Sequence, residues 1–273
     1  MKANELSIRL KKKVQNKEII ISAGVDNAED EHIVTKAGAD FILFYPTDGL
    51  NMDNRFIGGF FPFGNINKKM ESAAQNIIPF LHGKYILAAV NGSDPFKIDN
   101  ILLKKLQTYH FTGIHNYPTI ALVDGEAGSN MNVLGMGFSK ETNFFKKSKS
   151  NELFTCAMVR TNKQASEMVK VHTDAIVFYL GLGERKKSAQ ESADQRIQKD
   201  IKNLKSLSLN VRAVNLEMPL LFYSERLFSI EEIKTVIQEV PEVNGYHVMC
   251  NTSNKLSNNY LKKMIIELKK EKY

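Results

Sequence analysis

Eight short apolar runs, each followed by a stretch with helical periodicity, predict a (β/α)8 barrel of the α/β class spanning the 273-residue chain as a single domain, residues 1–273. Two further observations narrow the choice. The 43% hydrophobic content supplies one large core, and no Pro-rich, Gly/Ser-rich or low-complexity spacer divides the chain. No dinucleotide-binding glycine fingerprint follows any of the runs, and eight units would make an unusually wide open sheet, so a doubly wound sheet is the runner-up.

Residues 3–16 read as an extra helix lying over the N-terminal mouth of the barrel. The strands are then expected at 19–23, 41–45, 85–90, 113–115, 153–159, 175–180, 211–216 and 245–250, each rich in β-branched, aromatic or leucine residues. Between them lie helices with defined apolar faces. Ile197, Ile201 and Leu204 form one after the sixth strand, and Leu261, Met264, Ile265 and Leu268 form another near the C-terminus. Asp94-Pro95 reads as a cap followed by proline at a first helical position, Ser229-Ile-Glu-Glu as a capping box, and Pro241 follows the seventh helix.

Composition excludes several classes. No apolar run approaches the ~20 residues that a membrane span needs, and the start, MKANELSIRLKKK, lacks a signal-peptide core. Cys156 and Cys250 each sit in an apolar run, which fits buried free thiols in a reducing cytoplasm. The net charge of +7 comes from small lysine groups spread along helices, read as a solvated outer ring because no nucleic-acid motif or stacking platform accompanies them. The expected partner is a small molecule.

The segment from Gly113 to Phe138 opens from a strand into a long polar loop punctuated by Gly125, Gly128, Gly135 and Gly137, a composition typical of a binding site. In a barrel the residues just beyond each strand share one mouth. There the sequence collects Ser22 and Gly24; Tyr45, Thr47 and Asp48; Asn91, Ser93 and Asp94; His115, Asn116, Tyr117 and Asp124; Arg160; Tyr179, Gly181, Gly183 and Glu184; Asn215 and Glu217; and Asn251, Thr252 and Ser253. From these, Asp94, Asp124 and Glu217 are the candidate catalytic residues. Ser22, Gly24, Asn91, Asn116, Tyr117 and Gly181 are the candidate ligand contacts.

Each has a structural alternative. Asp94 serves equally as a helix cap, Asn116 as a turn acceptor, and Asp124-Gly125 as an ordinary turn. Glu217 either pairs with Arg160 or a cation, or takes a raised pKa suited to proton transfer. His32, His82, His110 and His172 fall in helix or loop patterns. His115 and His247 lie on strands, where one alternation step decides between barrel interior and helix layer, and neither is assigned a role. No G-x-S-x-G, P-loop, H-E-x-x-H or paired C-x-x-C is present, and neither a metal-ligand set nor a cofactor is assigned.

From Ile19 to Leu256 the chain resembles the phosphoenolpyruvate hydrolase-like barrel proteins, which include a domain of plant proteins associated with tobamovirus resistance. The resemblance is carried by Ala37-Gly38-Ala39-Asp40, Asp94-Pro95-Phe96, Asn116-Tyr117-Pro118-Thr119 with Asp124-Gly125, Gly135-Met136-Gly137-Phe138 and Val243-Asn244-Gly245-Tyr246. It implies a cytoplasmic, oligomeric barrel with hydrolase-like activity on a small phosphorylated or carboxylated compound. Four loops depart from the pattern. An arginine- and glycine-rich loop after strand two has become Pro46-Thr47-Asp48-Gly49-Leu50-Asn51, with Arg55 retained. His-Met-Gly-Leu reads Tyr179-Leu180-Gly181-Leu182, His-Gly-Gly-Pro reads Leu216-Glu217-Met218-Pro219, and Gly-Ala-Ser-Ser reads Val248-Met249-Cys250-Asn251.

Two functions follow as expectations. One is a divergent hydrolase or lyase acting on a small oxyacid, with Asp94, Asn116 and Asp124 positioning substrate or a divalent cation and Glu217 as acid/base. The other is a ligand- or protein-binding regulatory barrel that has lost catalysis.

Overall fold

The computed structural model describes residues 2–45, 65–182, 184–250 and 257–272. Eight strands pair in sequence order, all parallel, and the first closes onto the last. They are β1 (Ile20–Val25), β2 (Phe41–Phe44), β3 (Ile86–Ala89), β4 (Gly113–His115), β5 (Phe154–Val159), β6 (Ala175–Leu180), β7 (Leu220–Ser224) and β8 (Gly245–Met249). All their residues are buried, as strands sandwiched between a packed interior and a helix layer must be. Phe41 of β2 meets Phe154 of β5 with ring centroids 6.1 Å apart, so these two rings fill the interior from opposite walls. Where β8 closes on β1 the backbones approach closely: a Cβ on Gly245 would lie 1.7 Å from the Ile20 carbonyl oxygen.

Ten helices of eight or more residues accompany the strands among the described residues: α1 (Lys2–Gln15), α2 (Ala28–Ala37), α3 (Ile66–Asn76), α4 (Asp99–Thr108), α5 (Gly125–Val133), α6 (Phe138–Ser150), α7 (Asn162–Lys170), α8 (Ala193–Arg212), α9 (Ile230–Glu239) and α10 (Asn258–Leu268). Helix α1 covers the N-terminal end of the barrel as expected, with Leu6 and Leu10 fully buried. Its Lys13 reaches Asp40, the fully buried carboxylate before β2, at 2.9 Å. Lys269, just past α10, contacts the same carboxylate at 2.8 Å, and Asp40 also accepts the Ile21 N–H. An antiparallel bridge between Glu18 and Lys272 joins the two ends of the fold directly.

Three expectations are corrected. The seventh strand is Leu220–Ser224, not 211–216. The run Val211-Arg-Ala-Val-Asn-Leu is the end of the 20-residue helix α8 and the turn after it, where Val211 continues the buried stripe of Leu204 and Leu207. A short apolar run does not by itself distinguish strand from helix. Arg212 fixes the turn that follows by donating to the carbonyls of Asn215, Leu216, Met218 and Glu242 and to Asn244 Oδ1.

The cap at Asp94 also falls elsewhere: α4 begins at Asp99 after Ile98, which makes no side-chain capping bond. The long polar loop, finally, is largely structured, holding a 3-10 turn at Ile120–Leu122 and helix α5. Ser229, by contrast, caps α9 by accepting the Glu232 N–H, but the expected box is not completed, since the Glu232 carboxylate accepts from the Phe228 N–H instead.

Candidate active site

Alternation along the strands sends one set of side chains into the barrel, and at its C-terminal end these are aromatic. His115 on β4 and His247 on β8 both point inward. Tyr45 follows β2, Tyr117 follows β4, Tyr179 is the penultimate residue of β6 and Tyr223 lies on β7. Each of the four tyrosines is at most 6% exposed. Tyr45 packs edge-on against both His115 and Tyr117, at 4.9 and 5.0 Å between centroids, and Tyr117 stacks on His115 with the planes 9° apart. Tyr223 joins the cluster edge-on to Tyr179 and His247.

Polar contacts thread through these rings. Ser22 Oγ lies 2.9 Å from His247 Nδ1, while Tyr45 Oη and Met249 Sδ lie 3.3 and 2.9 Å from Nε2. Burial pushes the His247 pKa down to about 3 against the opposing hydrogen bond to Ser22, so the ring is neutral at physiological pH. Burial, reinforced by His247, also pushes His115 well below the ordinary histidine range. Neither ring nitrogen of His115 has a hydrogen-bond partner among the described residues. Tyr179 donates a hydrogen bond to Glu225, the first residue beyond β7. Burial keeps the Tyr179 hydroxyl protonated far above its usual range, with the tyrosines 223 and 117 and Glu225 adding to the effect.

Next along the chain, Arg226 is clamped by Asp200 at 2.7 Å and Glu184 at 2.9 Å, which neutralises it. Gly181, at φ +69°, lies beneath this guanidinium; a Cβ there would meet Arg226 Cγ at 2.8 Å. Gly24 makes room in the same way for the aromatic cluster, since a Cβ would sit 2.4 Å from Tyr45 Cε2 and 2.9 Å from Met249 Sδ.

The expected residues therefore divide. Ser22, Gly24 and Tyr117 belong to the interior cluster, and Gly181 lies at the rim. Asn116 is buried but fully engaged: its amide donates to Thr119, Glu141 and the Met158 carbonyl, and its oxygen accepts from Met158 N–H. Its amide hydrogens and its oxygen are thus engaged in shaping the turn.

Asn91 likewise folds its own turn, accepting from the Ser93 N–H and hydroxyl. Asp94 accepts from the Phe96 N–H and from Asn67, and faces a groove on the barrel's flank. Asp124 precedes α5 with its side chain 85% exposed, 3.5 Å from Arg160. The structure does not bring Asp94 and Asp124 together with the interior cluster.

Glu217 is placed at the wrong end by the sequence reading. Three residues before β7, it accepts a 2.8 Å hydrogen bond from Gln15 of α1 and so belongs to the N-terminal face. Arg160 pairs with Asp124 instead. The carboxylate that does follow strand seven is Glu225, missed because that strand was set too early. Thr47, Asp48, Arg55, Gly183, Asn251, Thr252 and Ser253 lie outside the described residues.

No group of three or more His, Cys, Asp or Glu among the described residues is arranged to hold a metal ion. No described helix is long and apolar enough to cross a membrane. Both cysteines are free and buried.

A model of the phosphoenolpyruvate hydrolase-like family matches residues 5–265. The ToMV susceptible protein tm-1(GCR26) of Solanum lycopersicum is 24% identical over 240 residues, covering 88% of this chain and 32% of that protein. The ToMV resistance protein Tm-1(GCR237) of the same plant is 28% identical over 175 residues, covering 64% of this chain and 23% of its own. The chain thus spans about a third or less of these curated relatives. Among solved structures, a fructose-1,6-biphosphate aldolase candidate from Coccidioides immitis aligns with a TM-score of 0.49 at 12% identity, covering 98% of this chain and 93% of that one. The barrel assignment rests on the strand register itself.

Proposed function

We propose that this chain, which belongs to the phosphoenolpyruvate hydrolase-like family, is a barrel enzyme of hydrolase or lyase type acting on a small carboxylated or phosphorylated metabolite. The observation that carries this reading is the Tyr179–Glu225 pair set beside the His247, Tyr45 and Ser22 chain at the C-terminal ends of the strands, where barrels place their chemistry. Glu225 is the acid/base candidate in place of Glu217. Its hydrogen bond from a hydroxyl that stays protonated orients the carboxylate.

The two histidines are neutral donors rather than cations. A neutral imidazole N–H stabilises negative charge developing on a substrate oxygen without requiring a charged ground state. His115, whose ring nitrogens have no protein partner among the described residues, is the candidate to make that contact.

The second reading, a binding barrel without turnover, draws on the packing of the four tyrosines, which leaves the described end of the interior well filled. Incubation with a panel of small phosphorylated and carboxylated acids, phosphoenolpyruvate included, separates the two. The enzyme reading expects turnover that falls about 100-fold in Glu225→Gln, with His172→Gln on the outer surface unchanged. Saturable binding detected by calorimetry without product formation supports the binding barrel instead. Undiminished turnover in Glu225→Gln removes that residue from the site.

A further inference from the structure

A groove of about 970 Å³ lies on the flank of the barrel between α4 and α6. That volume is at the upper end of what small-molecule sites occupy, ~300–1,000 Å³. One wall is a face of α6, where Lys140, Asn143 and Lys147 recur at helical spacing with Lys146 beside them. The carboxylate of that helix, Glu141, is buried on its other side.

Within the groove Asp99 is shared by two ammonium groups, Lys97 and Lys147, each 2.6 Å from it. Lys97 also lies 4.8 Å from the centre of the Phe144 ring, and its side chain is only 9% exposed. One carboxylate thus answers two cations. The other carboxylate of the groove, Asp94, already accepts from the Phe96 N–H and from Asn67. Lys140 and Lys146 have no carboxylate partner, and the Asn100 and Asn143 side chains no hydrogen-bond partner, among the described residues. Four lysines against two carboxylates leave the groove with a surplus of two positive charges. Its apolar lining includes Ile98 and Leu134, which are 64% and 71% exposed.

We propose that this groove is a binding site for a phosphate monoester with an apolar body. Such a group carries ~1.5–2 negative charges at neutral pH and three acceptor oxygens, which matches both the surplus charge and the free ammonium and amide donors. A carboxylate brings one charge and two oxygens, and leaves half of that surplus unanswered. Ile98 and Leu134 shield the rest of the molecule from water and are themselves covered by it. No residue of the aromatic cluster takes part, so this site requires no chemistry at the mouth.

Calorimetric titration of the full chain with phenyl phosphate, inorganic phosphate and phenylacetate is the test. Saturable binding of phenyl phosphate is expected, with phenylacetate at least about tenfold weaker because it lacks the second charge. Lys140→Gln with Lys146→Gln should weaken phenyl phosphate at least about tenfold. Both side chains are exposed, so the circular-dichroism spectrum should not change. Ile98→Gln with Leu134→Gln should weaken phenyl phosphate about fivefold and leave inorganic phosphate as it was. Lys11→Gln with Lys12→Gln on α1 removes two exposed lysines elsewhere and should leave binding intact. The site is refuted by no saturable binding below about 10 mM, by an affinity indifferent to the Lys140 and Lys146 pair, or by an equal loss in the Lys11 and Lys12 pair. Equal affinity for phenylacetate, or indifference to the Ile98 and Leu134 pair, overturns the ligand class.

Discussion

The Asn116 amide donates a 2.8 Å hydrogen bond to the Glu141 carboxyl, and both side chains are buried. The same carboxyl accepts from the Thr119 hydroxyl and the Ile120 N–H, both at 2.6 Å, so one α6 residue gathers the turn beyond β4. Asn116→Ala leaves these groups short of a partner and is expected to cost about 2–3 kcal/mol, read as a lower urea midpoint. An unchanged midpoint would show that the turn holds itself.

Glu141 also predicts a pH dependence. Burial raises its pKa from 4.5 to about 7, against the lowering effect of Thr119, Asn116 and the Ile120 N–H. Its folded pKa lies above its unfolded one. The stability it contributes is therefore fully present below about 4.5 and lost as pH rises to about 7, a swing of about 3 kcal/mol. The difference in unfolding free energy between wild type and Glu141→Gln should shrink or grow more unfavourable for wild type over that window and be flat above it. A flat difference throughout contradicts the burial argument.

His247 acts in the opposite sense. Its folded pKa, lowered by burial to about 3 from 6.5, makes its contribution complete above 6.5 and progressively lost as pH falls toward 3. Replacement by Gln should therefore blunt acid sensitivity in that range. Equal acid denaturation curves for wild type and His247→Gln would contradict a neutral buried ring.

Asp124→Asn and Glu217→Gln should each change stability by no more than about 0.5 kcal/mol, because one is a loose exposed ion pair and the other an exposed hydrogen bond to Gln15. A loss beyond about 1 kcal/mol in thermal or chemical melts would give either residue a structural role that these contacts do not explain.

Gly24→Ala forces a methyl into the ring of Tyr45 and should destabilise by about 1–3 kcal/mol. Tyr45 itself must move, which near-ultraviolet dichroism detects. A variant with native spectrum and stability would mean that the cluster is looser than its contacts indicate.

Seven of the eight strands were legible because their apolar runs are short, aromatic or β-branched, and bounded by turns. The seventh was not, since Val211 and its neighbours continue a helix stripe across an arginine-anchored turn that no local pattern reveals. That single displacement of strand seven carried the candidate acid to the wrong face of the barrel. Ser22, Gly24 and Tyr117 fall in the interior cluster because strand ends define the mouth. The histidines were not assigned, because inward and outward positions differ by one residue and only the pairing of β4 with β3 and β5, and of β8 with β1, decides. Asn116 looked like a ligand contact because its composition fits one. What gives it a structural role is Glu141, 25 residues away on another element.

Asp40 has a consequence for how such a barrel can be used. Its carboxylate is gripped from one side by Lys13 of the first helix and from the other by Lys269 beyond the last, and Glu18 bridges to Lys272 beside it. The entry and exit of the fold are thereby stapled together on the face away from the tyrosines. A unit whose two ends leave side by side is spliced into a longer polypeptide without stretching the barrel or covering its open end. Its tyrosine-lined end points away from whatever is attached behind it, much as a tool head stays clear of its handle.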